Sequence, residues 1–171
     1  MNDIVEKTML TGYDDIEPIA SMTDQKYRKN FLSHLNSLNK TKHLIEKNKW
    51  EDWLHAITYI DIVEPLYNIM KLHRIDQNIL MNCSADFFTG IIENMPTRKL
   101  DVHLHRQVLK NPKMKHKLTD LEDWAALGMA ACYCDVVVCE KHFANIVKRD
   151  SFMTKARIET NLRNIFINVS K

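Results

Sequence analysis

Only three glycines and four prolines are spread over 171 residues, too few for the many tight turns of a mainly β protein. Long helices with few turns are what this scarcity leaves. No apolar run approaches the roughly 20 residues that a membrane-spanning helix needs, so no membrane contact is expected. Met1 to Ala20 alternates acids with apolar residues and lacks the basic start and apolar core of a secretion signal. A cytoplasmic protein is expected, with its four cysteines reduced. Three of them, Cys132, Cys134 and Cys139, lie near His142. Their spacing, Cys-x-Cys-x4-Cys followed by x2-His, is not that of the usual paired zinc knuckles. Small buried hydrophobes are their expected role. Nor is there an excess of one charge: a net charge of +2 is too small to name a nucleic-acid partner, so the local distribution of charge has to do so.

The length suits one compact domain able to bury a core without staples, divisible into a polar arm with a helix over residues 1–48 and an α/β region over 49–171. Met1 to Asp24 has no strong period and reads as an arm. From Asp24 to Asn48 the apolar positions Tyr27, Phe31, Leu35 and Leu38 recur at three and four, which predicts a helix with its lysines in solvent. Trp50 to Met70 reads as a second helix that Pro65 breaks or kinks, with Trp50 and Trp53 as buried anchors. A short strand over Ala56 to Ile60, tipped by Asp61, is the alternative for the same residues. Ile75 to Met95 is helical with an interruption near Asn82 to Ala85.

The most one-sided stretch is Arg98 to Leu118, which sets seven Lys and Arg and three His against the single acid Asp101. A solvated helix face would account for it when taken alone. Beside two carboxylates, however, dense cations are what a phosphodiester enzyme needs, cations to neutralise the backbone and acids to hold a metal. His103 and His105 share a face only in a strand, and a helix is expected here, so they are not expected to share a metal.

The acids follow at once. Asp120, Glu122 and Asp123 precede the apolar run from Trp124 to Ala131, a helix start with Thr119 or Asp120 as N-cap. Asp120 and Asp123 are one turn apart on one face and could share a divalent cation. Tyr133-Cys134 ends this helix, and Val136 to Cys139 reads as a strand buried on both faces of a parallel sheet. Glu140 then stands at the carboxyl end of that strand, where α/β sheets build their sites, and could converge with Asp123. Asp135, about 15 Å away at the other end of the strand, is structural. Ala156 to Thr160 alternates as a last strand, and Leu162 to Val169 closes the chain.

Asp-x-x-Asp opening a small-residue helix, then Tyr-Cys-Asp-Val-Val-Val, then an acid, Lys and a short helix, resembles the catalytic half of PIN-like nucleases. The resemblance covers about residues 95–167. It implies a helix-rich α/β fold in which helices flank a short parallel sheet, with an additional helical part at the amino terminus. It also implies metal-dependent hydrolysis of phosphodiester bonds, RNA ahead of DNA. Asp120 and Asp123 match the family's acidic pair and Glu140 the acid after its strand, with Cys139 where the family often has Thr. Asp123 would be the principal ligand of Mg²⁺ or Mn²⁺, helped by Asp120 and Glu140, since hard cations prefer carboxylate oxygen. Arg98, Arg106, Lys110, Lys113 and Lys141 would face the nucleic acid.

The family also opens with a strand ending in a metal-holding Asp, and the nearest copy here is Ile57 to Asp61. Either Asp61 completes the site, or an upstream region does, or the site is incomplete. Two rival readings follow. One is a catalytically incomplete PIN-like module that binds nucleic acid or a protein partner. The other is a helical interaction protein in which the acids merely start a helix. A second copy of the chain or a regulatory protein is a further expected partner.

Overall fold

A computed structural model describes residues 25–167. The expected arm over Met1 to Asp24 lies outside the described residues, as does the end of the closing segment. The elements in order are α1 (Gln25–Thr41), α2 (Trp50–Leu72), α3 (Asn78–Met81), α4 (Ala85–Asn94), α5 (Pro96–Lys110) and α6 (Asp120–Tyr133). They continue as β1 (Val136–Val138), α7 (Lys141–Lys148), β2 (Arg157–Glu159) and α8 (Arg163–Ile167). The fold is helix-dominated with a small sheet, as expected. In the sheet β1 pairs with β2 in parallel, Val137 opposite Ile158, and α7 makes the crossover that a parallel pair requires.

Local chemistry sets the boundaries. The Ser84 hydroxyl accepts from the Phe87 N–H at 3.3 Å and caps α4. Pro96 starts α5 at a position where its missing N–H costs nothing. The expected break at Pro65 does not occur, because α2 runs unbroken from Trp50 to Leu72. Leu54 and Thr58 on one side of the proline and Met70 on the other are buried, so the helix continues through Pro65 at the cost of one backbone bond. The strand alternative for Ala56 to Ile60 is excluded with it, and Trp50 and Trp53 are half-buried rather than buried, resting against the core.

The centre of the molecule is α5. It packs against α1, α2, α4, α6 and α7, and Leu100, Val102, Leu104, Val108 and Leu109 are all within 1% of full burial. The segment that reads as a basic face is therefore the spine of the core. The buried polar residues of α5 find partners inside. His103 Nε2 lies 3.0 Å from the Ile146 carbonyl oxygen and its ring stacks on Phe152, while the Gln107 amide donates to Asp150 at 2.7 Å. On another face of α5, His105 meets His34 of α1 with their Nε2 atoms 3.3 Å apart, and Nδ1 of His105 is 2.9 Å from the Asp101 carbonyl oxygen. The Trp124 indole of α6 donates to the Asp101 carboxylate at 2.9 Å, which ties α6 to the same spine.

Two further expectations change. The strand read as buried on both faces is half-buried, with Val138 37% exposed, because among the described residues the sheet has only two strands. The cysteines are free and none is fully buried; Cys132 and Cys139 lie against the core while Cys134 is exposed. No described helix is long and apolar enough to cross a membrane.

Burial gives the fold a pH dependence. It is the largest effect on His34, His103 and His116, and it lowers all three pKa values, with His105 adding to the effect on His34. Asp120 opposes it at His116. A base with a depressed folded pKa binds fewer protons folded than unfolded. Its contribution is thus intact above the ordinary histidine pKa of about 6.5 and is lost as pH falls below it. The urea midpoint should decline steadily from pH 7.5 to pH 5. A flat profile would show that these imidazoles take up protons without leaving the fold.

Candidate functional site

The loop from Asn111 to Thr119 leaves the buried end of α5 and feeds α6. At its close, the Lys117 N–H donates to Asp120 Oδ2 at 2.9 Å, and the Asp120 N–H donates back to the Lys117 carbonyl at 3.1 Å. This reciprocal pair closes the loop over the helix start, the Asp120 side chain reaching back three residues to the Lys117 N–H. His116 Nδ1 is 3.5 Å from the same oxygen. Asp120 is 8% exposed, so its first task is to shape the loop. Thr119 precedes the helix as its N-cap but makes no side-chain bond.

One turn on, Asp123 is exposed at the mouth of the loop. Glu140 reaches the same place from β1, since it follows the strand and stands as the N-cap of α7, its carbonyl accepting from the Ala144 N–H at 3.0 Å. The two acids line two adjoining grooves at once. On one side is an apolar groove of about 460 Å³ between Leu127 and Ala130 of α6, Val137 and Val138 of β1, and Phe143. On the other is a polar groove of about 430 Å³ whose far wall carries Lys113, Lys115 and Lys117, with His142 at its edge. Asp123 and Glu140 thus border the same two grooves.

The carboxylates crowd one another. Asp123 has its pKa raised, first by partial burial and then by Glu140, Asp120 and Glu122, with Lys117 opposing. Negative groups pressed together in this way favour a bound cation or proton. The donors are hard oxygens from two elements, of the type that Mg²⁺ or Mn²⁺ takes. They do not form a closed cage: among the described residues no three His, Cys, Asp or Glu side chains come together as a metal-holding group. Asp123 and Glu140 line both grooves, while the Asp120 carboxylate is turned toward its own loop.

The other expected site residues are dispersed. Arg98 sits between Asp61 at 3.8 Å and Asp101 at 4.0 Å. Arg106 donates two bonds to Glu51, at 2.7 and 2.6 Å, and Lys110 pairs with Asp150 at 2.7 Å. Each of these cations has an internal carboxylate. Lys113 does face the acids, and exposed Lys141 adjoins Glu140 at the start of α7. Asp61 lies in mid-helix beside Arg98 and lines neither groove, so the described chain does not bring it to Asp123. Lys115, Lys117 and His142 were not singled out as site residues from the sequence. For the two lysines, closeness to Asp120 in the chain was the available signal.

No family model matches the chain, and neither a curated protein nor a solved structure matches it.

Proposed function

We propose that the chain is a metal-dependent nuclease with the PIN-like arrangement, cutting phosphodiester bonds where Asp123 meets Glu140, in RNA ahead of DNA. The observation that carries this reading is that these two acids form the shared rim of a lysine-walled groove and an apolar one. A phosphate needs the first and a nucleobase or sugar can rest in the second. Asp123 and Glu140 would hold Mg²⁺ or Mn²⁺, which when bound supplies a water of lowered pKa and neutralises charge on the phosphate. Lys113, Lys115 and Lys117 draw the phosphate in and offset its charge. Asp120 fixes the end of the lysine-bearing loop through the Lys117 N–H. Lys141, next to Glu140 at the start of α7, would offer a further phosphate contact.

Labelled single-stranded RNA and DNA, incubated with Mn²⁺, Mg²⁺ or EDTA, should be cut only with metal, and Glu140→Gln should cut more slowly than wild type. A wild-type protein inert toward both polymers in either metal would overturn the reading. That result would favour the second one, a PIN-like module that binds nucleic acid without cutting it. The observation on its side is the open set of two acids, since Asp61 is engaged by Arg98.

A further inference from the structure

The groove at Asp123 and Glu140 has a neighbour across the 109–117 segment. A second groove, about 690 Å³, opens between the end of α5 and the two short turns Lys42–Leu44 and Lys47–Lys49 that follow α1. Lys42, His43, Lys47 and Trp50 form one bank, and Lys110 with Pro112 forms the other. The dividing segment is thus shared: Lys110 and Pro112 face the second groove, while Lys113, Lys115 and Lys117 face the first. It holds no acid from Leu109 to Thr119.

Lysines on a surface usually serve solubility alone. Here the molecule treats its cations in two ways. Along α5 the four cations Arg98, Lys99, Arg106 and Lys110 each have a carboxylate partner. Among the described residues, Lys42, Lys47, Lys113, Lys115 and Lys117 have none within ion-pair distance. Lys29, Lys40, Lys71, Lys141 and Lys148 are unpaired as well and line neither groove, but half of the unpaired lysines gather along these two grooves. The second groove is also held in shape. Lys42 Nζ donates to the Leu109 carbonyl at 3.2 Å, joining its two banks. The Trp50 indole N–H donates to the Ile45 carbonyl at 3.2 Å, so its polar edge is satisfied and the half-buried ring is left to line the groove. Unpaired cations beside an aromatic ring are the elements of a single-strand platform.

We propose that the two grooves form one continuous track for a nucleic-acid strand. The strand passes Asp123 and Glu140 along Lys113, Lys115 and Lys117, crosses the dividing segment at Pro112, and continues past Lys42 and Lys47 with a base against Trp50. This rests on the reading of the acidic groove as the one that faces nucleic acid, and it adds a binding surface lined by neither acid.

The test is fluorescence anisotropy of labelled single-stranded oligonucleotides of increasing length, in EDTA so that nothing is cut. Affinity should rise with length until the strand fills both grooves. Each lysine that neutralises a phosphate contributes roughly 0.7 to the slope of log K against log salt for a single strand. The pair Lys47→Glu and Lys113→Glu should therefore flatten the slope by roughly 1.4 and weaken binding on the order of tenfold at about 0.1 M salt. Lys71→Glu, at the far end of α2, serves as control and should leave the slope alone. A double variant that binds like wild type, an equal loss in Lys71→Glu, or affinity already complete for the shortest strand overturns the track. The two ideas fail separately. Metal-dependent cleavage by wild type with no effect of Lys47→Glu on binding removes the track and leaves the nuclease. Binding that needs Lys47, without cleavage in any metal, removes the nuclease and leaves the track.

Discussion

Asp123→Asn should do two opposite things: lose about a hundredfold in metal-dependent cleavage and melt at a higher temperature than wild type near pH 7. The first effect follows from replacing a hard anionic ligand by a neutral amide, which holds Mg²⁺ or Mn²⁺ far more weakly. Disturbing even an outer partner of a metal ligand costs 10- to 100-fold, so a ligand itself should sit at or beyond the top of that range. The second effect follows from the crowding of acids. Asp123 has a raised pKa in the fold, from partial burial and then from Glu140, Asp120 and Glu122. An acid whose folded pKa exceeds its unfolded one binds more protons in the folded state, so its ionised form weakens the fold at neutral pH. The weakening disappears as pH falls through that folded pKa. Asparagine removes it at every pH, so the gap in melting temperature should be present at pH 7 and should close on acidification.

This pairing discriminates among the readings. If Asp123 merely starts α6, its charge complements the helix dipole, a contribution of about 0.3–1 kcal/mol, and asparagine should lower the melting temperature. A variant that is less active and more stable marks a group kept for function at the expense of the fold. One that is less stable and no less active would support the helical interaction protein instead.

Leu104→Ala should cost about 3–5 kcal/mol, the range for leucines deleted from close-packed cores. Leu104 is 1% exposed and lies on the helix that five others pack against. For a chain of this size such a loss lowers the melting temperature by about 6–20 °C. Lys99→Ala, five residues earlier on the same helix, breaks only a half-exposed pair with Glu93 and should stay within about 0.5 kcal/mol of wild type. Thermal or urea melts of the two variants would measure this difference. A loss below about 1 kcal/mol at Leu104 would mean that α5 is not the centre of the core.

That contrast also shows where the sequence is legible. The apolar period of three and four locates α1 and α4, and the apolar run at Val136 with the alternation at Arg157 locates both strands. The meeting of Asp123 with Glu140 follows from one helix start and one strand end, both local signals. What stays hidden is burial that depends on distant partners. His103, His105 and Gln107 count as polar in any periodicity, yet they are inside because Ile146, His34 and Asp150 satisfy them from remote parts of the chain. Arg106 looks available to a phosphate until Glu51, 55 residues away, is seen to hold it. Asp120 resembles a ligand because a capping role and a ligand role call for the same residue at the same helix turn. The apolar run at β1 cannot announce how many strands will stand beside it.

The proline in α2 bears on how the molecule breathes. Pro65 has no N–H to offer the Asp61 carbonyl one turn back, so the helix is missing one rung. Before that gap α2 is held by Leu54 and Thr58, both buried. Beyond it only Met70 is buried, while Ile69 and Leu72 are 55% and 77% exposed. The stretch after Pro65 thus has few buried contacts to lose when it opens, and the gap separates it from the part anchored on α5. Its amides should therefore exchange with solvent through a small local opening, ahead of those of the first half, which are held by the core.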